Sequence, residues 1–452
     1  MSTHLILLAA GEGSRMLSDT PKVLHEIAGA PLFAHALASA VEMDGRRVIV
    51  VGHQGDAVRT AALAREETLL IAEQTEQLGT AHAVACAAQA LDGAGGDTVI
   101  LYGDTPFIRP ETLARMQAAR AAGADIVFLG FHAADPGRYG RMVTEGDTLK
   151  RIVEYKDASE DQRQITLCNS GVVMAGTETL LRLAQNVGND NAAGEFYLTD
   201  LPELGAAEGL TSRVALCDEA ETLGVNSRAD LAEAERVFQT NARAEALANG
   251  VTLQAADTVH FAFDTVIGRD AVIEPYVVFG SGVTIETGAL IRAFSHLEGA
   301  HVGCGAIVGP YARLRPGTEL SNNTRIGNFT EVKNATIGDG SKVNHLSYIG
   351  DAVIGAGSNI GAGTITCNYD GVSKHRTEIG DHAFIGSNTM LVAPVTIGDD
   401  AMTASGSVIS RDVPDGDMAV ARAQQVNKQG FARKFFSRLR ATKAKASAQK
   451  GP

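Results

Sequence analysis

The 452-residue chain contains no tryptophan, and its five cysteines are too few and too scattered to organise it. Cys86, Cys168, Cys217, Cys304 and Cys367 include no C-x-x-C pair. That spacing argues against a disulfide framework or a zinc site and fits free thiols in a reducing compartment. No apolar run approaches the roughly 20 residues of a membrane span. Met1-Ser2-Thr3-His4 leads directly into a strand-like run, not into the charged and apolar regions of a signal peptide. The expectation is a cytoplasmic protein with no membrane partner. Cations are also scarce: 39 Lys and Arg face 53 Asp and Glu, a net charge of −14, which argues against nucleic acid as the main partner. The chain is too long for one core, so two or three domains are expected.

What the chain does have is glycine, 49 of them, and a ladder of aliphatic residues. From Ile267 every sixth residue is large and apolar: Ile273, Phe279, Ile285, Ile291, Leu297. After a step of five the ladder resumes at Val302, Val308, Leu314, Leu320, Ile326 and Val332, then Ile337, Val343, Ile349, Ile354 and Ile360. Past an interruption it returns at Ile379, Ile385, Leu391 and Ile397 and ends at Ile409. A period of six is neither a helix nor a half-buried strand. It fits one short strand plus one tight corner, three such units closing a triangular coil of a parallel β-helix. Gly or Asn is expected at corners that need positive φ. Flat faces of such a prism can pack around a threefold axis, so a homotrimer is expected.

The first half alternates strands (Leu5–Leu8, Val48–Val51, Val99–Tyr102, Ile126–Leu129) with helices (31–41, 81–90, 112–122). This predicts an α/β domain with a mostly parallel sheet, which binds ligands beyond the carboxyl ends of its strands. Two strand ends carry chemistry. The first runs Leu8-Ala9-Ala10-Gly11-Glu12-Gly13-Ser14-Arg15-Met16, followed by Pro21-Lys22-Val23-Leu24. Close glycines let backbone N–H groups reach a phosphate, and Arg15 and Lys22 can neutralise it. Met16 holds the place of a dinucleotide fingerprint's third glycine, and no Gly-Lys-Ser/Thr is present. The second strand ends in Tyr102-Gly103-Asp104, where the carboxylate suits Mg²⁺ or simply caps a turn.

Those two motifs, with Glu76-Gln77-Leu78-Gly79-Thr80 and Val225-Asn226, resemble the sugar-nucleotide pyrophosphorylases. With the hexapeptide ladder behind them, the chain up to about Arg422 is similar to the bifunctional bacterial N-acetylglucosamine-1-phosphate uridyltransferase / glucosamine-1-phosphate N-acetyltransferase family. The resemblance implies an α/β nucleotidyltransferase domain, Rossmann-like, followed by a left-handed parallel β-helix of hexapeptide repeats. The expected boundaries are 1–227, a helical linker arm 228–250, the β-helix 251–425 and a basic tail 426–452. The linker's apolar stripe is read as packing. By resemblance, Gly11, Gly13, Arg15 and Lys22 belong with the UTP phosphates, Leu8 and Ala10 with the bound UTP or UDP-N-acetylglucosamine, and Gln74, Gly79 and Thr80 with uracil. Tyr102 and Gly103 line the site. Asp104 and Asn226 hold Mg²⁺, and Gly140, Glu154 and Asn169 bind the N-acetylglucosamine moiety. Glu12 departs from the lysine common in relatives and puts a negative charge beside the triphosphate.

In the ladder, Arg313, Arg315, Glu331, Lys333, His345 and Tyr348 gather on neighbouring coils. The cations suit a phosphate and His345 suits general-base work. The segment 366–378 interrupts the repeat and is expected as a loop on the binding side. The resemblance implies that His345 deprotonates the glucosamine amine for attack on acetyl-CoA, and that Arg315, Lys333, Tyr348 and Asn359 hold glucosamine-1-phosphate. It places Ala362, Asn368, Tyr369, Ser387, Ser405 and Arg422 at acetyl-CoA, with Ser405 standing where relatives carry Ala. Glu331, from charge and proximity, is expected to orient His345, and Cys367 to be a spectator. N-acetylglucosamine-1-phosphate and UTP are the substrates expected of the first domain. Two other readings stay open here: a single-activity nucleotidyltransferase whose β-helix only trimerises it, and a non-catalytic nucleotide sensor. The tail after Arg422 is basic and reads as a disordered tail, a short helix across a neighbouring subunit, or an anion-binding patch.

Overall fold

The structure, a computed structural model, describes residues 2–11, 13–52 and 55–449. Its contacts divide the chain into two compact units. The first holds Met1–Asn249 with Ala256–Thr265 and Phe279–Gly282, and the second holds Gly250–Ala255, Val266–Val278 and Val283–Pro452.

The first unit is built on one nine-stranded sheet. Its order is Leu70–Gln74, Arg47–Gly52, Thr3–Ala9, Asp97–Tyr102, Leu167–Gly176, Ile126–His132, Ser212–Leu216, Thr148–Val153, Arg141–Glu145. The first four strands are mutually parallel, because helices carry the chain back between them. These are α1 (Leu32–Ser39), α2 (Asp56–Arg65), α3 (Thr80–Cys86) and, after the fourth strand, α4 (Pro110–Ala121). Leu167–Gly176 enters antiparallel between Asp97–Tyr102 and Ile126–His132, and a hairpin of Arg141–Glu145 with Thr148–Val153 completes a mixed second half. Apolar clusters cover both faces, one around Leu5, Leu7, Phe33, Ile49 and Val99, the other around Ile6, Val48, Ile100, Val84 and Leu201. The buried acid Glu221, 2 % exposed, accepts from Arg109 N–H at 3.0 Å and from the Thr112 hydroxyl, and so caps the start of α4.

Two short helices, α5 (Glu160–Arg163) and α6 (Thr177–Gln185), precede α7 (Leu201–Ala207) on this unit. The long helix α8, Arg228–Ala248, opens with a capping box in which Ser227 and Asp230 bond reciprocally. Its stripe packs as read from the sequence: Ala234 is buried with Met16, Ile27, Leu32 and Val225. Glu235 accepts the Ala28 N–H at 2.8 Å, and Gln239 bonds both the N–H and the C=O of Phe261.

The second unit is a parallel β-helix of the hexapeptide kind. Ile267 stands over Ile285, Val302 and Leu320, then Ile337, Ile354, Ile379 and Ile397. Ile273, Ile291, Val308, Ile326, Val343, Ile360 and Ile385 form a second such column. Ladder residues from Ile273 onward are at most 3 % exposed, so each contributes the full burial of a branched side chain, about 1.5–3 kcal/mol. Aspartates stitch successive coils: Asp339 accepts from Asn322 N–H, Asp381 from Ala356, Asp399 from Asp381 and Asp415 from Asp399, all at 2.7–3.0 Å.

The corners depart from expectation. Positive φ is taken not only by Gly and Asn but by Tyr276, Phe294, Tyr311, Phe329 and Leu346, on five successive coils. A side chain in this conformation costs roughly 1–2 kcal/mol. The four aromatic rings stack with centroids 5.1, 4.9 and 5.3 Å apart, an arrangement that returns about 0.5–1.5 kcal/mol per pair. Beyond the ladder, residues Phe431–Gln449 form the helix α9, not the disordered tail that was one of the expectations.

Candidate active sites

In the first unit, the carboxyl ends of Thr3–Ala9 and Asp97–Tyr102 open on a cleft of about 270 Å³. These neighbouring parallel strands leave the sheet on either side of the point where the strand order reverses. Leu8, Ala9, Ala10, Gly11, Lys22, Gln74, Gly79, Thr80, Tyr102 and Asp104 line the cleft. Gly13 cannot carry a side chain: its φ is 64° and a Cβ would meet that of Lys22 at 2.5 Å. Gly79, at φ 119°, would meet the Phe196 backbone at the same distance. Arg15 is exposed on the short turn Ser14–Met16. Glu12 lies outside the described residues.

Lys22 bonds Asp104 Oδ2 and, at 3.2 Å, Asn226 Oδ1. Two hard oxygens therefore converge on one positive charge. That donor set fits a hard divalent cation that takes its remaining ligands from water and substrate phosphates. Gln74 is buried and held by two bonds, Nε2 to Gly79 O at 3.0 Å and to His82 Nδ1 at 3.1 Å. Thr80 accepts the Leu198 N–H at 3.0 Å and bonds Tyr102. Burial, then the Asp104 and Glu154 carboxylates, push the Tyr102 phenol far above its ordinary range, so it stays a neutral wall.

Gly140, Glu154 and Asn169 come together beyond Tyr102. A Cβ on Gly140 would lie 3.4 Å from Glu154 and 3.7 Å from Asn169, and Asn169 Oδ1 holds Gly171, which packs on the Tyr102 ring. Burial pushes the Glu154 carboxyl up. The loop carrying Gly140 is fixed by Arg141, 2 % exposed, whose guanidinium bonds the carbonyls of Gly137, Tyr139 and Arg163. Gln77, bonded to Ala10 O at 2.7 Å, and Glu195 also line the cleft and were not singled out from the sequence. Gln77 sits inside the quoted Glu76–Thr80 motif, where its exposure could have been inferred.

In the β-helix, parallel register places functional side chains on adjacent coils. Arg313 pairs with Glu331 and Glu331 with Tyr348, while Asn328 stands opposite His345. Glu331 does not orient His345. It forms an ion pair with Arg315 at 2.9 Å, whereas His345 Nδ1 bonds Asn328 Oδ1 at 2.8 Å. The reason is the coil geometry: Glu331 lies past the corner at Phe329, on the face that carries Arg315, and Asn328 lies directly beneath the histidine. Asn328 was detectable as the residue one coil before His345.

The interrupting segment forms a turn centred on Asp370, which accepts the Val372 and Ser373 N–H groups and bonds His375. Tyr369 then pairs with Lys374. This turn sets Lys374 beside Lys333, and the two like charges hold the Lys333 ammonium below the usual lysine range. Burial alone would raise the Asp351 carboxyl, but bonds from Asn334 and Asn368 and the charges of Lys374 and Lys333 hold it low. Lys374, like Asn328, is a candidate that was not singled out from the sequence. Its signal was the Asp370-Gly371 turn, which returns the chain opposite Tyr369.

Other expected residues are divided. Asn359 stands on the Lys342–Asn359–Phe384 rung, on the same face as His345 and one face away from Arg315, Lys333 and Tyr348. Asn368 is buried and bonds Asp351 and Tyr348, while Tyr369 is exposed. Ser387 and Ser405 follow Ala362 on successive coils, each with its N–H against a glycine (Gly361, Gly386) whose Cβ would clash at 2.5 Å. Arg422 bonds Ser405 O at 2.8 Å. Burial raises the Cys367 thiol, which makes it a poor nucleophile.

Comparison with known proteins adds family relationships. Residues 5–169 match the MobA-like NTP transferase domain, and residues 264–299 and 376–411 match the bacterial transferase hexapeptide (six repeats). The chain is 61 % identical over 440 residues to the bifunctional protein GlmU of Jannaschia sp. (strain CCS1), covering 97 % of each. It is 64 % identical to that of Dinoroseobacter shibae, covering 99 % of this chain and 100 % of the relative. With Ruegeria pomeroyi the identity is 64 %, covering 98 % and 99 %.

Proposed function

The chain belongs to the family of the bifunctional protein GlmU, and on that premise we propose how its residues divide the work of two transfers. The enzyme acetylates glucosamine-1-phosphate from acetyl-CoA and transfers uridylyl from UTP to N-acetylglucosamine-1-phosphate. The products are UDP-N-acetylglucosamine, which feeds cell-envelope precursors, and pyrophosphate.

The β-helix performs the first reaction. His345, held through Nδ1 by Asn328, presents its other ring nitrogen as the base. It takes a proton from the substrate amine as nitrogen attacks the thioester carbonyl; the C–N bond forms, the C–S bond breaks and the thiol leaves. Arg315, Lys333, Lys374 and Tyr348 hold the sugar phosphate. Ala362, Ser387, Ser405 and Arg422 form the column along which the coenzyme lies, and Asn368 supports Tyr348.

The cleft performs the second. A sugar-phosphate oxygen attacks the α-phosphorus of UTP, and the bond to pyrophosphate breaks. No protein nucleophile is needed: the N–H groups of Ala10, Gly11 and Gly13, with Arg15 and Lys22, position and neutralise the phosphates. Mg²⁺, held by Asp104 and Asn226, supplies further charge neutralisation. Gln74, Gly79 and Thr80 face the base, and Gly140, Glu154 and Asn169 face the acetamido sugar.

The observation that carries this reading over a purely structural β-helix is the exposed, oriented His345 on the face next to the one that carries a cluster of three cations, Arg315, Lys333 and Lys374; a scaffold requires none of them. We further propose that the prism assembles as a homotrimer and that the enzyme works in the cytoplasm. An assay with glucosamine-1-phosphate, acetyl-CoA, UTP and Mg²⁺, each omitted in turn, tests the whole. Omitting acetyl-CoA should abolish nucleotide-sugar formation from glucosamine-1-phosphate, and adding N-acetylglucosamine-1-phosphate should restore it. Full product without acetyl-CoA would refute the division of labour.

A further inference from the structure

After Asp417 the sequence holds no acid and nine Lys or Arg. From this stretch the fold builds α9, whose side chains from Phe431 through 446 are all exposed. At 3.6 residues per turn, Phe431, Phe435 and Leu439 fall on one stripe, with Phe436 at its edge. Arg433, Lys434, Arg438, Arg440 and Lys445 occupy the rest of the circumference. The stripe is not collapsed onto the protein: the four apolar side chains are 56, 48, 55 and 49 % exposed in sequence order. Phe431 and Phe435 stack with centroids 6.0 Å apart, and Phe436 meets Phe435 edge-on at 5.7 Å. Ten residues without helix or strand, 421–430, precede the helix and leave it room to reorient.

A partner must satisfy both faces. Duplex nucleic acid would take the cations but leave the phenylalanines in water. An anionic bilayer takes both, the rings among the upper acyl chains and the cations among the headgroups. Such a helix lies in the interface and needs no spanning segment, so the lack, among the described residues, of a helix long and apolar enough to cross a membrane does not bear on it. We propose that α9 docks the enzyme on an anionic lipid surface.

The test is co-sedimentation of the full-length protein with vesicles of phosphatidylglycerol and phosphatidylcholine, and with phosphatidylcholine alone, at low and high salt. The expected result is binding to the anionic vesicles only, released by salt because the attraction is screened. The triple variant R433Q/K434Q/R438Q should weaken binding about a hundredfold, at about fivefold per cation. F435S/L439S, which keeps every charge, should weaken it by about tenfold or more. Both variants should retain uridyl transfer. Equal binding to neutral vesicles, or none to anionic ones, would overturn the proposal. So would binding to duplex DNA that the charge variant loses and the stripe variant keeps, or a change of oligomeric state in the stripe variant, which would assign α9 to a second copy of this chain.

Discussion

Lys374→Met separates the demands of binding from those of stability. Around the proposed phosphate site, Arg315, Lys333 and Lys374 are opposed by Glu331, which is paired with Arg315, and by Asp351, whose carboxyl faces Lys333 and Lys374. Three cations against two carboxylates leave one net positive charge, and the substitution takes it to zero. It also removes one charge-assisted bond to the phosphate, worth about tenfold in affinity at an exposed site. In steady-state acetyl transfer at saturating acetyl-CoA, the KM for glucosamine-1-phosphate should rise by about this factor. Uridyl transfer from N-acetylglucosamine-1-phosphate should be unchanged and serves as the control for folding. Stability should move the other way. Lys374 holds Lys333 below the usual lysine range, so the folded state binds the Lys333 proton less tightly than the unfolded chain does. That penalty is fully present at neutral pH and fades as pH rises through the alkaline lysine range. The variant should therefore melt at the same or a higher temperature near pH 7, with the difference narrowing towards pH 11. An unchanged KM, or a fall in both activities together, would refute the reasoning.

Asn328→Ala should lower kcat for acetyl transfer by at least tenfold with little change in either KM, because it frees the His345 ring without touching a substrate; a loss confined to KM would contradict this. Asp104→Asn should weaken the binding of Mg²⁺·UTP, read by titration calorimetry, while acetyl transfer continues; unchanged heats would remove Asp104 from the metal site. Glu154→Gln should raise the melting temperature more at pH 8 than at pH 4.5, because burial raises the carboxyl and the folded state is disfavoured once it ionises. Glu221→Ala should cost about 1–3 kcal/mol in denaturant unfolding of the first unit, since it strips the start of α4 of its acceptor.

The β-helix was legible because its period is set by the fold itself: each coil must return an aliphatic group to the same inward position. The register columns run through the residues the spacing picked out, including the steps of five at Val302 and Ile337. The parallel half of the first sheet was legible for a related reason, its buried strands being continuous apolar runs. The antiparallel strand Leu167–Gly176 was not, because its partners lie far off along the chain. The hairpin Arg141–Val153 was not, because its short strands, although paired locally, are broken by Arg141, Glu145, Lys150 and Arg151 and show no continuous apolar run. The aromatic corners escaped because local propensity assigns positive φ to Gly and Asn, whereas stacking between coils overrides it at Tyr276, Phe294, Tyr311 and Phe329. Glu331 was misassigned to His345 because closeness along a coil ignores the face on which a residue stands; a corner separates the two.

The prism behaves as a ruler. Neighbouring coils lie about 4.8 Å apart, and Asn328, His345 and the Ala362–Ser387–Ser405 column are spaced in whole coils, so the distances between them do not depend on what the other faces carry. Evolution can lengthen such a rod by duplicating a whole turn well before Arg313, or embroider it as the Asp370 excursion does, and the spacing of its reactive groups is left intact. An insertion that is neither a whole turn nor looped out of the coil would rotate those groups onto different sides of the rod and take them out of one another's reach.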